Sequence, residues 1–307
     1  MKLIVSSAPH IKSAETTQSI MMKVIIATIP AMIASVLFFG VGSLLRIAVS
    51  VAACMFFEFR YEKAMKKPVT VSDLSAAVTG VLLAFNVPST MPLWQVVVGA
   101  LVAIVVVKQV FGGIGFNFAN PAIVARIVLS ISYAGTMTAY TLDGVACSTP
   151  LADYSNGMGA VPNVMDMFIG KTGGVIGETS AVALLIGFVF LVATKVISPV
   201  VPVTYVATVA VLAAVLGMNP LVYVLGGGLL LGAIFMATDY TTTPYTTKGK
   251  LVYGVCLGIL TVVIRRFGSM AEGVSYAILI MNLLLPYVNR ATRQHPLGAP
   301  KKTKEAK

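Results

Sequence analysis

Charged residues are scarce in this 307-residue chain: Asp, Glu, Lys and Arg make up 11% of it, whereas an average soluble domain holds about 25%. Cysteine is also scarce, and Cys54, Cys147 and Cys256 lie far apart in the sequence. This spacing excludes a disulfide framework, a Cys-x-x-Cys metal motif and an iron–sulfur cluster held by this chain alone. Hydrophobic residues instead make up 57% of the chain, and the mean hydropathy is +0.91, which excludes an ordinary soluble domain.

Apolar runs recur from Met22 to Val288, and the longer ones approach the roughly 20 residues that cross a bilayer as a helix. The runs are continuous, whereas the strands of a transmembrane barrel alternate apolar and polar residues. We therefore predict an all-α polytopic membrane protein with about ten transmembrane helices. The predicted spans are 22–39, 44–59, 74–87, 93–110, 120–133, 179–197, 202–217, 221–238, 250–264 and 272–288.

Lys and Arg outnumber Asp and Glu by 22 to 11, and much of the excess lies in the loop 60–73 and in the tail after Pro286. Basic clusters beside apolar spans mark the cytoplasmic side of a membrane protein, and this placement argues against nucleic acid as a partner. With an even number of spans, both termini are predicted to be cytoplasmic. The loop 134–178 is then outside, as are Arg265 and Arg266, which are an exception to the charge rule.

The two halves of the chain resemble each other: residues 80–84 read GVLLA and run on to Pro92, and residues 228–232 read GLLLG and run on to Pro244. With an odd number of spans in each half, the halves enter the membrane in opposite directions, as inverted repeats do. Alternatively, these glycines only allow close helix packing. The predicted divisions are a cytoplasmic amino-terminal segment (1–21), a first five-helix repeat (22–133), an outer loop (134–178), a second five-helix repeat (179–288) and a basic cytoplasmic tail (289–307).

Helices broken near Gly, Pro and Asn build polar sites inside a bilayer, because the freed backbone groups need polar partners. An inverted repeat therefore predicts two related sites. The outer site combines residues 86–92 with the turn 265–273. The inner site combines residues 112–121 with residues 238–244.

Three segments point to a known family: residues 143–151 read DGVACSTPL, residues 112–122 read GGIGFNFANPA, and residues 236–250 read MATDYTTTPYTTKGK. With these segments and ten spans, nearly the whole chain resembles the D subunit of the Rnf ferredoxin:NAD oxidoreductase complex. It also resembles the related B subunit of the sodium-pumping NADH:quinone reductase. The chain begins almost directly at the first span, which favours the Rnf type. The resemblance implies a multi-pass protein of a bacterial or archaeal cell membrane.

The resemblance implies that a flavin transferase attaches FMN through its phosphate to Thr149. The family's motif is close to Asp-x-x-Ser-Gly-Ala-Thr: Asp143 and Thr149 match its ends, and Ser148 is one of three small substitutions between them. From the residues alone, Ser-Thr-Pro in a loop indicates a turn. Arg265 and Arg266 lie on the same predicted face, where they suit the FMN phosphate or a partner subunit; alternatively, they reach the lipid headgroups.

The resemblance also implies a noncovalent riboflavin nearer the cytoplasmic side, which fits the predicted inner site. Glycines let the backbone approach a flat ring, and asparagine amides can hydrogen-bond to its pyrimidine edge. Asp239 is expected to contact the ribityl hydroxyls or a cation. Alternatively, the glycines serve helix packing, and Asn120-Pro121 is an ordinary helix start. The candidate residues are Gly112, Gly113, Asn117, Asn120, Asp239 and Thr243.

Four ionisable residues lie within or at the ends of the predicted spans and need partners, because charge in hydrocarbon is costly. Arg46, Glu58 and Asp239 are near span ends, where they can reach the headgroup region. Arg126 lies deeper and is expected to face the protein interior. The sequence shows no embedded chain of carboxylates that would mark an ion path.

The resemblance implies an electron-transfer subunit of an ion-pumping translocase. Electrons would pass from an outer flavoprotein onto FMN at Thr149, then through riboflavin towards a cytoplasmic NAD-reducing subunit. The chain lacks a Rossmann fingerprint and a cysteine cluster, so NAD and ferredoxin are expected to bind other subunits, and no complete active site is predicted. The alternatives are a subunit of the quinone-reductase type and a flavin-free channel or transporter for a small solute, which inverted repeats also build.

Overall fold

The computed structural model describes residues 15–142, 145–155, 163–268 and 273–294. Asp143 therefore lies outside the described residues, as does most of the predicted basic tail. The described chain is mainly helical. Its helices are α1 (Thr17–Phe39), α2 (Val41–Ala64), α3 (Ser75–Phe85), α4 (Leu93–Leu101), α5 (Pro121–Ser132), α6 (Ala134–Met137), α7 (Pro150–Ser155), α8 (Val164–Ile169), α9 (Ala181–Ala193), α10 (Val200–Val215), α11 (Pro220–Leu225), α12 (Leu229–Leu231), α13 (Thr247–Phe267) and α14 (Val274–Ala291).

Two helices continue as π-helices, and one hairpin interrupts the helical pattern. After α4 the π-helix covers Val102–Gln109, and after α12 it covers Gly232–Met236. A 3-10 turn (Val71–Asp73) precedes α3. Strands β1 (Tyr140–Leu142) and β2 (Val145–Cys147) pair antiparallel, with Tyr140 opposite Cys147.

Four of the described helices (α1, α2, α13 and α14) are long and apolar enough to cross a membrane. Five shorter apolar helices accompany them: α3, α4 with its π-helix, α5, α9 and α10. Large apolar side chains such as Leu37 and Val41 are more than 70% exposed on the long helices, as expected for surfaces that face lipid. The architecture is that of a polytopic α-helical membrane protein.

The predicted span 221–238 is not one continuous helix. Helix α11 ends at Leu225, and the chain resumes helical structure only at Leu229. Gly227 and Gly228 both have φ of 68°, a left-handed conformation that an L side chain rarely adopts. The predicted span 221–238 is thus a broken helix, as the sequence analysis expected for some helices near glycine, although it did not place the break at these two residues.

Helix packing uses glycine as well, as the alternative interpretation expected. A Cβ added to Gly254 would lie 2.0 Å from Thr204 Oγ1, and one added to Gly258 would lie 2.5 Å from Thr208 Cβ. The pair Gly254 and Gly258 therefore lets α13 approach α10 closely, in the small-xxx-small manner of membrane helices. The inverted repeat itself stays a prediction.

The α4 segment connects the two ends of the bundle. Its first turn holds Trp94, whose ring packs edge-on against Tyr133 at 5.3 Å between centroids, and its π-helix ends beside Lys108. Seventeen residues of helix, Leu93–Gln109, extend roughly 25 Å. We call the end that holds Trp94 and the β-hairpin the Thr149 end, and the opposite end, with Lys108 and residues 110–119, the Asp239 end.

Candidate functional sites

Thr149 lies immediately before α7 and caps its first turn. Its Oγ1 accepts a hydrogen bond from the N–H of Ala152 at 3.3 Å, and its carbonyl accepts one from the N–H of Asp153 at 3.0 Å. Pro150 occupies the first helical position, where its missing N–H costs nothing. The Ser-Thr-Pro sequence is thus a helix start, and only 6% of Thr149 is exposed.

The side chains beside Thr149 are engaged with each other. The Ser148 hydroxyl is hydrogen-bonded to the Asp153 carboxylate. Burial, and after it the charge of Asp153, raise the pKa of the Cys147 thiol. Cys147 is therefore a protonated thiol at neutral pH, which is the less reactive form of cysteine.

A second segment, residues 173–177, contacts both the residues around Thr149 and the end of α3. The N–H groups of Ile176 and Gly177 donate to the carbonyls of Val87 and Phe85 at 3.1 and 3.0 Å. A Cβ on Gly173 would lie 2.4 Å from the Cys147 Sγ, so this segment touches the Thr149 loop as well. This segment thus supplies hydrogen-bond partners for carbonyl groups that are left free where α3 ends.

Helix α7 is docked on the broken span. The Tyr154 hydroxyl accepts a hydrogen bond from the N–H of Asn219 at 2.9 Å, and its ring meets that of Tyr223 edge-on at 6.3 Å. A Cβ on Gly227 would lie 2.6 Å from Leu151 Cδ2, so α7 also covers the glycine break. The Thr149 loop is therefore fixed to the second half of the chain.

Arg265 binds the carbonyl groups at the same break. Its guanidinium donates to the carbonyls of Tyr223, Gly226 and Gly227 at 2.6, 3.1 and 2.9 Å, and only 5% of the residue is exposed. A buried arginine at the carboxyl end of α11 complements the helix dipole and satisfies its last carbonyls. Arg266 is exposed. The sequence did not predict this role for Arg265, and contact of either arginine with phosphate stays a prediction.

We expect Arg265→Met to destabilise the folded protein by about 2–4 kcal/mol, because three buried carbonyls lose a charged donor. The thermal-unfolding midpoint in detergent measures this effect. Arg266→Met is the matched control, since its exposed side chain is expected to matter by no more than about 0.5 kcal/mol. Equal midpoints for the two variants would contradict the capping role.

Between the two ends lies a buried polar cluster. Arg126, 4% exposed, donates to Asn86 Oδ1 at 2.6 Å, so it faces the interior as predicted. A Cβ on Gly228 would lie 3.3 Å from Glu178 Oε2 and 3.6 Å from Arg126 Nη1, which places both charged groups around this glycine. The cluster joins the end of α3, α5, the segment that carries Glu178 and the broken span.

At the Asp239 end the structure brings the two predicted inner segments together. They form part of the wall of a cavity of about 300 Å³, and the rest of the wall comes from α1, α3, the two π-helices and residues 191–197. This volume is at the lower bound of small-molecule sites. The polar residues that line the cavity include Ser75, Lys108, Asn117, Asn120, Asp239 and Thr241.

A hydrogen-bond network organises one side of this cavity. Thr241 Oγ1 lies 2.8 Å from Asp239 Oδ2 and 3.0 Å from Asn117 Oδ1, and the amide of Asn117 lies 3.4 Å from Asp239 Oδ2. The side-chain oxygen of Asn120 accepts a hydrogen bond from the N–H of Ala122 at 3.0 Å and so caps α5. This agrees with the alternative interpretation of Asn120-Pro121 as an ordinary helix start. Asn117, Asp239 and Thr241 therefore form one hydrogen-bonded group in the cavity wall, and Lys108 and Ser75 line the cavity as well.

Other predicted inner residues lie beside the cavity. Gly112 and Gly113, with φ of 128° and 95°, form the turn after the π-helix and do not line the cavity, whereas Gly115 does. The hydroxyl of Thr243 donates to the carbonyl of Ala237 at 2.8 Å, and the residue lines a neighbouring cavity of about 510 Å³. Both cavities are lined by Val196, Ile197, Thr238 and Tyr240.

The Asp239 end also contains a buried ion pair that the sequence analysis did not predict. Lys108 Nζ lies 2.6 Å from Glu58 Oε1, with side-chain exposures of 5% and 1%. The expectation that Glu58 reaches the headgroups is wrong, because the residue is wholly buried and also accepts from the Gln109 amide at 2.8 Å. Opposite charges inside two apolar runs were the available signal, since such charges need partners.

A family model described as the NQR2, RnfD, RnfE family matches residues 4–298. The chain belongs to this family. Over its whole length it is 46% identical to the D subunit of the Na(+)-translocating ferredoxin:NAD(+) oxidoreductase complex of Acetobacterium woodii, of which it covers 99%. It is 35% identical to the D subunit of the proton-translocating complex of Clostridium ljungdahlii, with 96% of each chain covered. It is 34% identical to the D subunit of the ion-translocating oxidoreductase complex of Methanosarcina acetivorans, again with 96% of each chain covered.

These relatives confirm the resemblance to the D subunit of the Rnf complex. Membership in the NQR2, RnfD, RnfE family and the apolar helices together support a multi-pass membrane subunit of an ion-translocating oxidoreductase complex. Both polar ends of the bundle belong to the matched region, which leaves out only the last residues of the tail and the first three of the chain.

The two ends are chemically suited to flavins in different ways. Thr149 offers a hydroxyl whose oxygen already accepts a backbone N–H, and a phosphoester retains that oxygen as an acceptor. Because Thr149 is nearly buried, attachment of a group to it would require the residues around it to open, or would have to precede their final packing. The cavity at the Asp239 end combines apolar walls with amide, hydroxyl, carboxylate and ammonium groups, which fits a flat heterocycle that carries a hydroxylated chain.

Proposed function

We propose that this chain is the electron-carrying membrane subunit of an Rnf-type ferredoxin:NAD oxidoreductase complex. FMN is attached through its phosphate to Thr149, and riboflavin binds noncovalently in the cavity at the Asp239 end. The Thr149 end faces outside, and both termini face the cytoplasm. The observation that supports this proposal most strongly is the cavity of about 300 Å³, which is lined by both segments that the sequence analysis paired as an inner site.

The residues of the chain have binding and orienting roles in this proposal. Flavins supply the redox chemistry when bound, and the protein supplies binding, orientation and electrostatics. Asn117 and Asp239, tied together through Thr241, are placed to recognise the polar edges of the heterocycle and its hydroxylated chain. The buried aliphatic walls, which include Leu82 and Ile234, exclude water.

The proposed route needs partners at both ends. An outer flavoprotein reduces the flavin at Thr149, and a cytoplasmic subunit that reduces NAD accepts electrons from the Asp239 end. A flavin transferase is needed for maturation. The length of the α4 segment, roughly 25 Å, matches a separation of the two ends across most of a bilayer's hydrocarbon core.

The test is a flavin inventory of the complex purified from cells that express the flavin transferase. After denaturing electrophoresis, we expect the band of this chain to fluoresce under ultraviolet light, because a covalent flavin stays with the polypeptide. Acid extraction should release about one riboflavin, without phosphate, per chain. A dark band together with no extractable riboflavin would contradict the proposal and favour a flavin-free channel or transporter.

A further inference from the structure

Lys108 presents a positive charge to the proposed riboflavin cavity. It lines the cavity together with Ser75, whereas its partner Glu58 lies behind it and does not line the cavity. The ion pair is therefore a dipole whose positive end faces the ligand space. At 4% exposure, Lys108 is shielded from the water that weakens such a field at a protein surface.

The ammonium group also has a donor to spare. It donates to Glu58 Oε1 and to Ser75 Oγ, each at 2.6 Å. An ammonium has three N–H donors, so one remains beyond these two bonds with described residues. A buried donor at a cavity wall is costly unless a ligand or water accepts from it. The unused donor therefore points to an acceptor in the cavity.

The local backbone explains why two polar residues in succession are buried here. Lys108 and Gln109 lie in the π-helix after α4, and both contact Glu58. The wider turn of a π-helix brings onto one face residues that an α-helix would separate, and such turns occur frequently at functional sites. Gln109 donates to the same oxygen of Glu58 as Lys108 does, so it fixes the carboxylate behind the lysine.

We propose that Lys108 is a flavin-binding residue that stabilises the reduced flavin in this cavity. The inference rests on the proposed inner riboflavin. Each electron that a riboflavin bound here would accept from the flavin proposed at Thr149, which would lose that electron, would add one negative charge until a proton from water followed. The Lys108 ammonium attracts that charge and donates its remaining N–H, so it raises the reduction potential of the riboflavin.

The experiment is a spectroelectrochemical titration of the purified complex with variants that change charge but retain hydrogen-bonding groups. In the double variant Glu58→Gln with Lys108→Gln, both charges are lost and neither is left buried alone. We expect riboflavin to be retained and its equilibrium constant for one-electron reduction to fall about tenfold, which is a shift of about −59 mV. Lys108→Arg keeps the charge and should change the constant by less than about threefold.

The single variant Glu58→Gln is expected to shift the reduction potential of the riboflavin in the opposite direction. It leaves the ammonium without its counter-charge, so the equilibrium constant for reduction should rise above that of the wild type. If the double variant does not assemble, this single variant still tests whether Lys108 stabilises the reduced flavin. An unchanged or lowered constant in Glu58→Gln, or an unchanged one in the double variant, would overturn the role of Lys108.

Flavin content distinguishes this failure from failure of the proposed function. A wild-type complex that releases no riboflavin in acid would overturn both the inner flavin site and the role of Lys108. A complex that releases about one riboflavin per chain, but whose potential is the same in both charge variants, would overturn only the role of Lys108.

Discussion

Replacing Thr149 with valine is expected to abolish the covalent flavin of this chain, so its band in a denaturing gel should be dark under ultraviolet light. Valine has nearly the shape of threonine but has no hydroxyl to form a phosphoester. The variant loses one hydrogen bond to the N–H of Ala152, a cost of about 1 kcal/mol, so the fold should persist. Electron transfer through the assembled complex should fall to background, while the acid-extractable riboflavin remains.

Two neighbouring variants make this test specific. Ser148→Ala removes the adjacent hydroxyl, which is bonded to Asp153, and should leave a fluorescent band. Thr149→Ser retains a hydroxyl at the same atom position and reports how strictly the transferase requires threonine. A fluorescent band in Thr149→Val, or a dark one in Ser148→Ala, would place the attachment at a different residue.

Sequence patterns were sufficient for features that depend on local composition. Nine of the ten spans predicted from continuous apolar runs coincide with apolar helices among the described residues. Such runs are easy to recognise because contact with lipid demands apolar residues along the whole segment. The inner segments, marked by Asn117 and Asp239, lie together at one cavity. The two segments lie far apart in the sequence, and their pairing was predicted from the repeat of glycine and proline positions in the two halves of the chain.

Features that depend on distant pairing were not predictable. Lys108 and Glu58 are 50 positions apart, and nothing in either apolar run identifies the other as its partner. Arg265 was interpreted as a group for phosphate or headgroups because its acceptors, the carbonyls of Gly226 and Gly227, exist only after the span breaks. A backbone acceptor leaves no trace in side-chain patterns.

The Thr149 end and the Asp239 end of the bundle therefore differ in the kind of hydrogen bond that holds them in place. Backbone hydrogen bonds hold the Thr149 loop, through Ile176 and Gly177, to the end of α3. Side-chain hydrogen bonds organise the Asp239 end, where Thr241 connects Asp239 to Asn117. Single side-chain substitutions are accordingly expected to change binding at the Asp239 end more than they change the path of the loop around Thr149.

Asp239→Ala is expected to reduce the riboflavin retained by the complex at least tenfold. Asp239 Oδ2 accepts hydrogen bonds from Thr241 at 2.8 Å, Thr242 at 3.3 Å and Asn117 at 3.4 Å, and hydrogen bonds to a charged group contribute about 1.5–3 kcal/mol each. Without this acceptor, the amide of Asn117 and the hydroxyl of Thr241 lose the orientation that the cavity wall needs. Riboflavin per chain after acid extraction measures the loss.

The matched control is Asp166→Ala, which removes an aspartate from the first turn of α8 in the predicted outer loop. It should retain riboflavin at the wild-type level, and both variants should keep the fluorescent band, because the covalent flavin depends on Thr149. Asp239→Asn keeps an oxygen acceptor for Thr241 and should retain more riboflavin than Asp239→Ala. Equal retention in Asp239→Ala and Asp166→Ala would mean that riboflavin binds away from this cavity, because the network around Asp239 forms its polar wall.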